Sequence, residues 1–295
     1  RSTLFPYTTL FRSRDQIKEE TGLQATAGIG DNFFLAKVAL DIYAKTAKNG
    51  IAKLSINEVK EKLWPITPLH KVWSIGRRTE AKLNAMNIFT VKDIATSNLD
   101  YLKSKFGIMG EQLWRHANGI DEADVHEQYE PKEISLTLGQ VLFRDYQKDE
   151  AITIIREMVD TLASRMRNQE KMCNTVSIYI GYSENQGGFS RRATLLSASD
   201  DSKVLLDAIL EIYHRFIKDL PIRNIGICYA GLVPASHQQL SVFEDEEKQI
   251  KRRNLQKAVD KLHSKFGNNS VLRASSLLEE STIRERNEYI GGHKR

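Results

Sequence analysis

The stretch SIGRRTEAKLNAMNI (74–88) brings a glycine turn and three cations close together in the chain. A tight turn at Gly76 lets the backbone approach a phosphate closely. The helix that follows would then point its N-terminal amides and positive dipole end at that anion. Arg77, Arg78 and Lys82 add charge, and Ser74 sits at the entry to the turn. Contacts of this kind fix position on a nucleic acid without reading bases. An ordinary αα-hairpin with solvated arginines has the same pattern. GIMGEQLWRHANGID (107–121) repeats the arrangement with Gly107 and Gly110.

Three further stretches carry candidate chemistry. KVALDIYAKTAKNG ends a helical pattern on Lys45 and Lys48, mobile point charges of the kind that suit a triphosphate. From spacing alone they read as a solvated lysine face. RRATLL places Arg191 and Arg192 on opposite faces of a strand. One should face away from the packed side and reach a nucleic-acid backbone, and the other could pair with a helix carboxylate. QQLSVF (238–243) sets Leu240, Val242 and Phe243 in a polar stretch after the last strand of a domain. It reads either as a strip folded back on the sheet or as a docking peptide for another protein. No Ser/His/carboxylate relay, Walker-type loop, zinc spacing or paired strand-end carboxylates is present, and GIGDN is too short for a nucleotide fingerprint.

These residues need elements to hold them. Residues 23–29 read as a short strand, and Asp31 as the N-cap of a helix with Phe34, Leu35, Val38, Ala39 and Ile42 on one face. A short helix over 55–63 is broken by WPITPL, which marks a boundary. Short helices follow near 77–86, 90–95, 98–104 and 110–117, and an acidic, non-periodic stretch then reads as a linker. Residues 134–233 give strands at 134–143, 174–183, 189–198 and 222–233, with amphipathic helices at 149–169 and 201–220. That order, β-α-β-β-α-β, is the ferredoxin-like split βαβ arrangement, one antiparallel sheet with two helices on one face. Residues 246–266 form a last helix with Ile250, Leu255, Val259, Leu262 and Phe266 as its apolar positions.

Composition sets the class. The 295 residues are 41% hydrophobic and 27% charged, ordinary for a globular protein of two or three domains. No apolar run reaches the length of a membrane span, so no membrane partner is expected. Cys173 and Cys228 lie in strand-like stretches and read as core residues of a reducing, cytoplasmic protein. A net charge of +5 permits a polyanion partner without requiring one. The opening RSTLFPYTTLFRS has no periodicity and resembles translated sequencing-adaptor sequence. Residues 1–13 are therefore set aside as an artefact or a disordered arm.

The segments converge on a family. GLQATAGIGDNFFLAKVALD resembles the end of the palm in Y-family, lesion-bypass DNA polymerases, and WSIGRRTEAKLNAMNIFTVKDIA resembles their thumb. LTLGQVLFRDY with the domain after it resembles their little finger. QLSVF resembles the Q-L-[SD]-L-F peptide with which bacterial members bind the sliding clamp, and YIGGHK looks like the UmuC-like (ImpB/MucB/SamB) UV-damage repair branch. The resemblance implies an α+β multidomain chain: part of the palm (14–64), a small all-α helix-hairpin-helix thumb (65–120), a linker (121–133), the little finger (134–233) and a tail (234–295).

It also implies roles. Lys45, with Lys48 as its rival, would approach the triphosphate of the dNTP. The turns at Ser74–Arg77 and Gly107–Gly110 would hold primer-side phosphates. Arg144, Arg191 and Arg192 would grip the primer–template duplex. Gln239, Leu240, Ser241, Val242 and Phe243 would bind the clamp β subunit. Two departures stand out. W-S-I-G replaces the common P-G-I-G, so Ser74 must adopt a conformation that suits glycine. The carboxylates that hold two Mg²⁺ ions in the family are not in this chain. The expectation is a fragment of a translesion polymerase of the SOS response that binds DNA and clamp without polymerising. A non-catalytic, clamp-tethered adaptor is the alternative. An RNA-binding module fits less well, because FSRRATLLSA lacks alternating aromatics.

Overall fold

The computed structural model describes residues 6–124, 126–127, 134–235 and 246–290. Two compact units divide the chain, one running to residue 128 and the other from 129 to 294.

In the first unit, helix α1 (Pro6–Thr21) precedes strand β1 (Ala27–Gly30), helix α2 (Phe33–Val38) and strand β2 (Ile51–Leu54). The segment set aside at the start is thus helical from Pro6 onward. Strands β1 and β2 pair in parallel from Ala27↔Ile51 to Gly30↔Leu54. Helix α2 packs so closely on β1 that a Cβ on Gly28 would lie 2.1 Å from Ala36 O, and one on Gly30 2.2 Å from Ala36 N. The glycines of GIGDN therefore serve strand–helix packing.

The N-cap of α2 is Asn32, whose Oδ1 accepts from Leu35 N at 2.9 Å. Asp31, the expected cap, instead accepts from Ile56 N at 2.7 Å. Helix α2 passes into a π-helical turn over Ala39–Ala44. The helix expected at 55–63 is a 3₁₀ turn (Ile56–Glu58) followed by a π-turn (Val59–Leu63).

Four short helices follow: α3 (Arg77–Asn84), α4 (Val91–Thr96), α5 (Leu99–Phe106) and α6 (Ile108–Ala117). One buried cluster joins them to the strands, from Phe34, Leu35 and Leu54 through Leu83 and Ile94 to Leu102 and Leu113. Polar stitches reinforce it. Asn32 Nδ2 donates to Gly119 O at 2.7 Å, Phe34 N to Asp121 at 2.9 Å and Trp64 Nε1 to Ala117 O at 3.0 Å. Phe34 stacks on the buried His116 ring, with centroids 4.2 Å apart.

The second unit runs β3 (Leu136–Tyr146), α7 (Glu150–Asn168), β4 (Lys171–Tyr182), β5 (Gly188–Ser199), α8 (Ser202–Phe216) and β6 (Ile222–Pro234). All pairs in the sheet are antiparallel, in the order β3-β6-β4-β5. β6 lies between β3 and β4, and β4 lies between β6 and β5, so both crossovers are split. The edges are the first and third strands of the domain. Helices α7 and α8 cover one face. Ile155, Val159, Leu162 and Met166 of α7 meet Leu205, Ile209 and Tyr213 of α8 over Val176, Ile178 and Ile180 of β4. Cys173 is buried in this core, which pushes its thiol up to about 12.

Helix α9 (Glu246–Phe266) is present as expected, but its apolar positions are not its buried face. Leu255, Leu262 and Phe266 are exposed. Ion pairs hold the helix instead, because the surface that receives it is polar. Asp260 accepts from Arg167 of α7 at 2.6 and 3.0 Å. Arg253 reaches Asp200, and Arg252 and Gln256 reach Asp201. The chain then crosses back over α7. Arg273 pairs with Asp160, and Ser281 and the Thr282 amide donate to the buried Glu157. Burial pushes the Glu157 carboxyl up, against these hydrogen bonds. Short helix α10 (Ile283–Arg286) brings Arg286 to Gln140 of β3 at 2.7 Å. The tail is therefore latched to the helical layer.

Arg167 and Asp260 are only 7% and 9% exposed, so removing one leaves a buried charge unpaired. Asp260→Asn is expected to cost about 3 kcal/mol locally. It should read out as faster amide exchange across α9 with β4 and β6 unaffected. Unchanged protection of α9 would show that the latch rests on other contacts.

Candidate nucleic-acid interface

Val72, Ile75 and Leu83 are buried and plant the first hairpin in its unit, leaving Gly76, Arg77, Arg78 and Lys82 outside. Ser74 takes φ +76°, the left-handed region that the W-S-I-G departure demands. Holding a non-glycine residue there costs roughly 1–2 kcal/mol. Gly76 is different. Its φ of −83° suits any residue, and a Cβ there would meet nothing within 4 Å. Neither backbone nor internal packing asks for glycine, and its small size leaves room for close approach from outside.

Helix α3 opens without a side-chain cap. The amides of Arg77, Arg78 and Thr79 precede its first intrahelical bond, Glu80 N to Gly76 O at 2.9 Å. By contrast, α2, α4 and α5 are capped by Asn32, Thr90 and Asn98. None of Arg77, Arg78 and Lys82 forms an ion pair among the described residues. The one acid of α3, Glu80, is engaged by His70, with Nδ1 to Oε2 at 2.6 Å. That hydrogen bond holds its carboxyl below the usual range, against burial.

Gly107, at φ +63° and ψ −139°, opens α6, again with no side-chain cap. That backbone region is essentially closed to other residues. Gly110 does not belong with it. It is buried, a Cβ there would lie 2.2 Å from Leu102 O, and its amide donates to Gly107 O at 2.9 Å. Gly110 is the packing contact of α6 on α5, so it leaves the phosphate-facing set.

Of the two candidate triphosphate lysines, Lys45 pairs with Asp41 at 3.0 Å, and Asp41 also takes Lys37 at 3.0 Å. Burial pushes the Asp41 carboxyl up, but the two lysines outweigh it and hold it below its ordinary value. Lys48 is exposed and has no ion pair among the described residues.

In the second unit, register separates the arginines. Arg191 lies opposite Ile178, whose side chain is buried under the helices, and Arg192 lies opposite Ser177. Arg191 therefore turns to the helix side, with its guanidinium 5.0 Å from the Phe216 ring, and forms no ion pair with a helix carboxylate among the described residues. Arg192 projects from the open face. Arg144 is bound to Glu150 at 2.7 and 3.2 Å and lies 4.1 Å over Tyr146, so most of its charge is balanced within the unit.

The open face itself escaped sequence reasoning. One row across it reads Gly139, Gly226, Tyr179 and Ser190, and the next reads Thr137, Cys228, Ser177 and Arg192. Within these two rows Tyr179, half-exposed, is the one large apolar side chain and Arg192 ends the second row; in the row beyond, Val141 lies opposite Asn224 and is exposed as well. The alternate positions of each strand carried this signal, once the pairing is known. Gln239, Leu240, Ser241, Val242 and Phe243 lie outside the described residues.

Comparison with known proteins follows these lines. Residues 72–121 match the model of the DNA polymerase-iota thumb domain, and residues 131–242 that of the impB/mucB/samB family C-terminal domain. DNA polymerase IV 2 of Bacillus subtilis is 32% identical over 94% of this chain and 68% of its own length. The chain belongs to the Y-family of DNA polymerases, in its UmuC-like branch. The putative UV-damage repair protein UvrX of Bacillus subtilis is 37% identical over 93% of this chain and 66% of its own. The DNA repair protein homolog YobH of that organism is 40% identical over 67% of this chain and 92% of its own. The chain thus spans about two thirds of UvrX and of polymerase IV 2. A Y-family chimera of Dbh and Dpo4 shares the fold, with a TM-score of 0.52 and 18% identity over 77% of this chain and 64% of its own. The α+β architecture is that of the family: part of a palm, an all-α thumb and a little finger.

The register makes a prediction. Arg192→Ala should weaken binding of duplex DNA about three- to tenfold at fixed salt, as loss of one backbone contact does. Arg191→Ala should leave affinity within about twofold of wild type. Fluorescence anisotropy on one duplex compares them, and equal losses would mean that the grip extends round the β5 edge.

Proposed function

We propose that this chain holds primer–template DNA for translesion synthesis in DNA repair. The observation that carries the reading is the uncapped start of α3, flanked by Gly76 and by Arg77, Arg78 and Lys82, which form no ion pair among the described residues. Backbone amides and arginines together suit a phosphate and ignore base identity, as a lesion-tolerant enzyme requires. The Gly107 turn of α6 offers a second site of this kind. The open face of the little finger, with Arg192 at its edge strand, would lie against the duplex. Lys48, with Lys45 nearby, would meet the dNTP triphosphate. QLSVF would tether the chain to the sliding clamp and raise its local concentration at the primer end. The setting would be the cytoplasm and the SOS response.

Magnesium-assisted nucleotidyl transfer is the chemistry of the longer polymerase in this reading. Among the described residues no three His, Cys, Asp or Glu side chains are grouped to hold a metal ion. The described residues therefore do not fit a two-metal site. A second reading, a non-catalytic clamp-tethered adaptor, has one observation in its favour. The 200 matched residues make up 92% of YobH, so that relative is shorter than this chain.

Two measurements test the proposal. Arg77→Ala with Arg78→Ala should reduce primer–template affinity roughly tenfold and flatten the slope of log K against log salt by about two. An unchanged slope would remove the thumb turn from the interface. Phe243→Ala should weaken clamp binding at least about tenfold, as loss of an aromatic anchor does. Unchanged clamp affinity would end the tether reading.

A further inference from the structure

The start of α3 has an internal competitor for its phosphate. Glu80 is the one acid in Arg77–Asn84, placed in the first turn. A carboxylate there is attracted to the positive end of the helix dipole and sits one turn from Arg77, within pairing range on a helix surface. Left free, it would offset part of the charge that Arg77 and Arg78 present and compete with a bound phosphate.

The fold prevents this. The 3₁₀ turn Leu69–Lys71 carries His70 alongside α3. Both Glu80 oxygens face that residue: Oε2 lies 2.6 Å from His70 Nδ1, and Oε1 accepts from the His70 amide at 3.3 Å. The Glu80 side chain is 16% exposed, whereas Arg77 and Arg78 are open to solvent. No ion pair joins Glu80 to either arginine among the described residues.

We infer that His70 is a positioning residue for DNA binding: it holds Glu80 turned away from the Arg77–Arg78 turn, so that the cationic helix start stays free for a backbone phosphate. The inference rests on the DNA-holding reading given above. His70 needs no contact with DNA to act, and its effect passes entirely through Glu80.

A mutant cycle on the full chain tests this, with affinity for one primer–template duplex read by fluorescence anisotropy across a salt series. His70→Ala should bind about threefold more weakly, with a slope shallower by up to about 0.9, the value of one phosphate contact. His70→Asn keeps a donor for Glu80 and should stay near wild type. The decisive member is His70→Ala with Glu80→Gln. With the competing charge removed, it should return to wild-type affinity and slope. Wild-type binding by His70→Ala overturns the inference, as does a double variant as weak as His70→Ala. Should His70→Ala fail to fold, Glu80→Gln alone decides: it should bind at least as tightly as wild type, and weaker binding overturns the idea. The Arg77→Ala, Arg78→Ala chain separates the two levels. If it binds like wild type, the phosphate site itself is wrong. If it binds weakly while His70→Ala does not, only the role of His70 is.

Discussion

Each helix start presents amide groups that the helix cannot satisfy for itself, and the first unit is organised around where they are satisfied. Asn32, Thr90 and Asn98 close the starts of α2, α4 and α5 with their own side chains. Gly76 and Gly107 leave α3 and α6 open. The open pair are the starts that carry the thumb turns. Ser74 accepts a costly backbone conformation to shape the first, and His70 keeps the local acid out of it. A single core running from Phe34 to Leu113 makes this arrangement rigid, because the turn stands on Val72, Ile75 and Leu83 within the same packing.

The second unit solves a different problem. Its sheet leaves one face open while the other is buried under two helices. Small residues make up much of two rows of the open face, and Tyr179 lies over the gap left by Gly226, whose absent Cβ would be 3.4 Å from the Tyr179 Cβ. On the covered face the two helices bury aliphatic side chains, and their outer surface is polar enough to bind the tail through charge. Hydrophobic burial makes the domain, whereas ion pairs and hydrogen bonds hold the latch.

What the sequence made legible follows from that division. Val176, Ile178 and Ile180, and the Ile155–Met166 face of α7, are buried as their spacing implies, since a periodic apolar face meeting an apolar core has one solution. Helix α9 has a periodic face as well, yet Leu255, Leu262 and Phe266 remain outside. Periodicity shows which residues align but not what the receiving surface is made of, and here that surface is Arg167, Asp200 and Asp201. The choice between Arg191 and Arg192 depended on strand register, a property of two strands together. In DNFF two good capping residues stand side by side, and the distant Ile56 amide claims Asp31, leaving Asn32 to cap. The partnership of Glu80 with His70 crosses the turn KVWSIG and has no periodic signature.

Glycine at 28, 30 and 110 is walled in by backbone, so even one methyl group would collide. Glycine at 76 and 139 faces empty space. The first group is closed to evolutionary change by the fold itself, whatever the protein binds. The second is free to drift as far as folding is concerned. Selection on stability therefore falls on the first group of glycines and leaves the second untouched. Any constancy at position 76 across diverging descendants would then need a cause outside the fold, such as contact with another molecule.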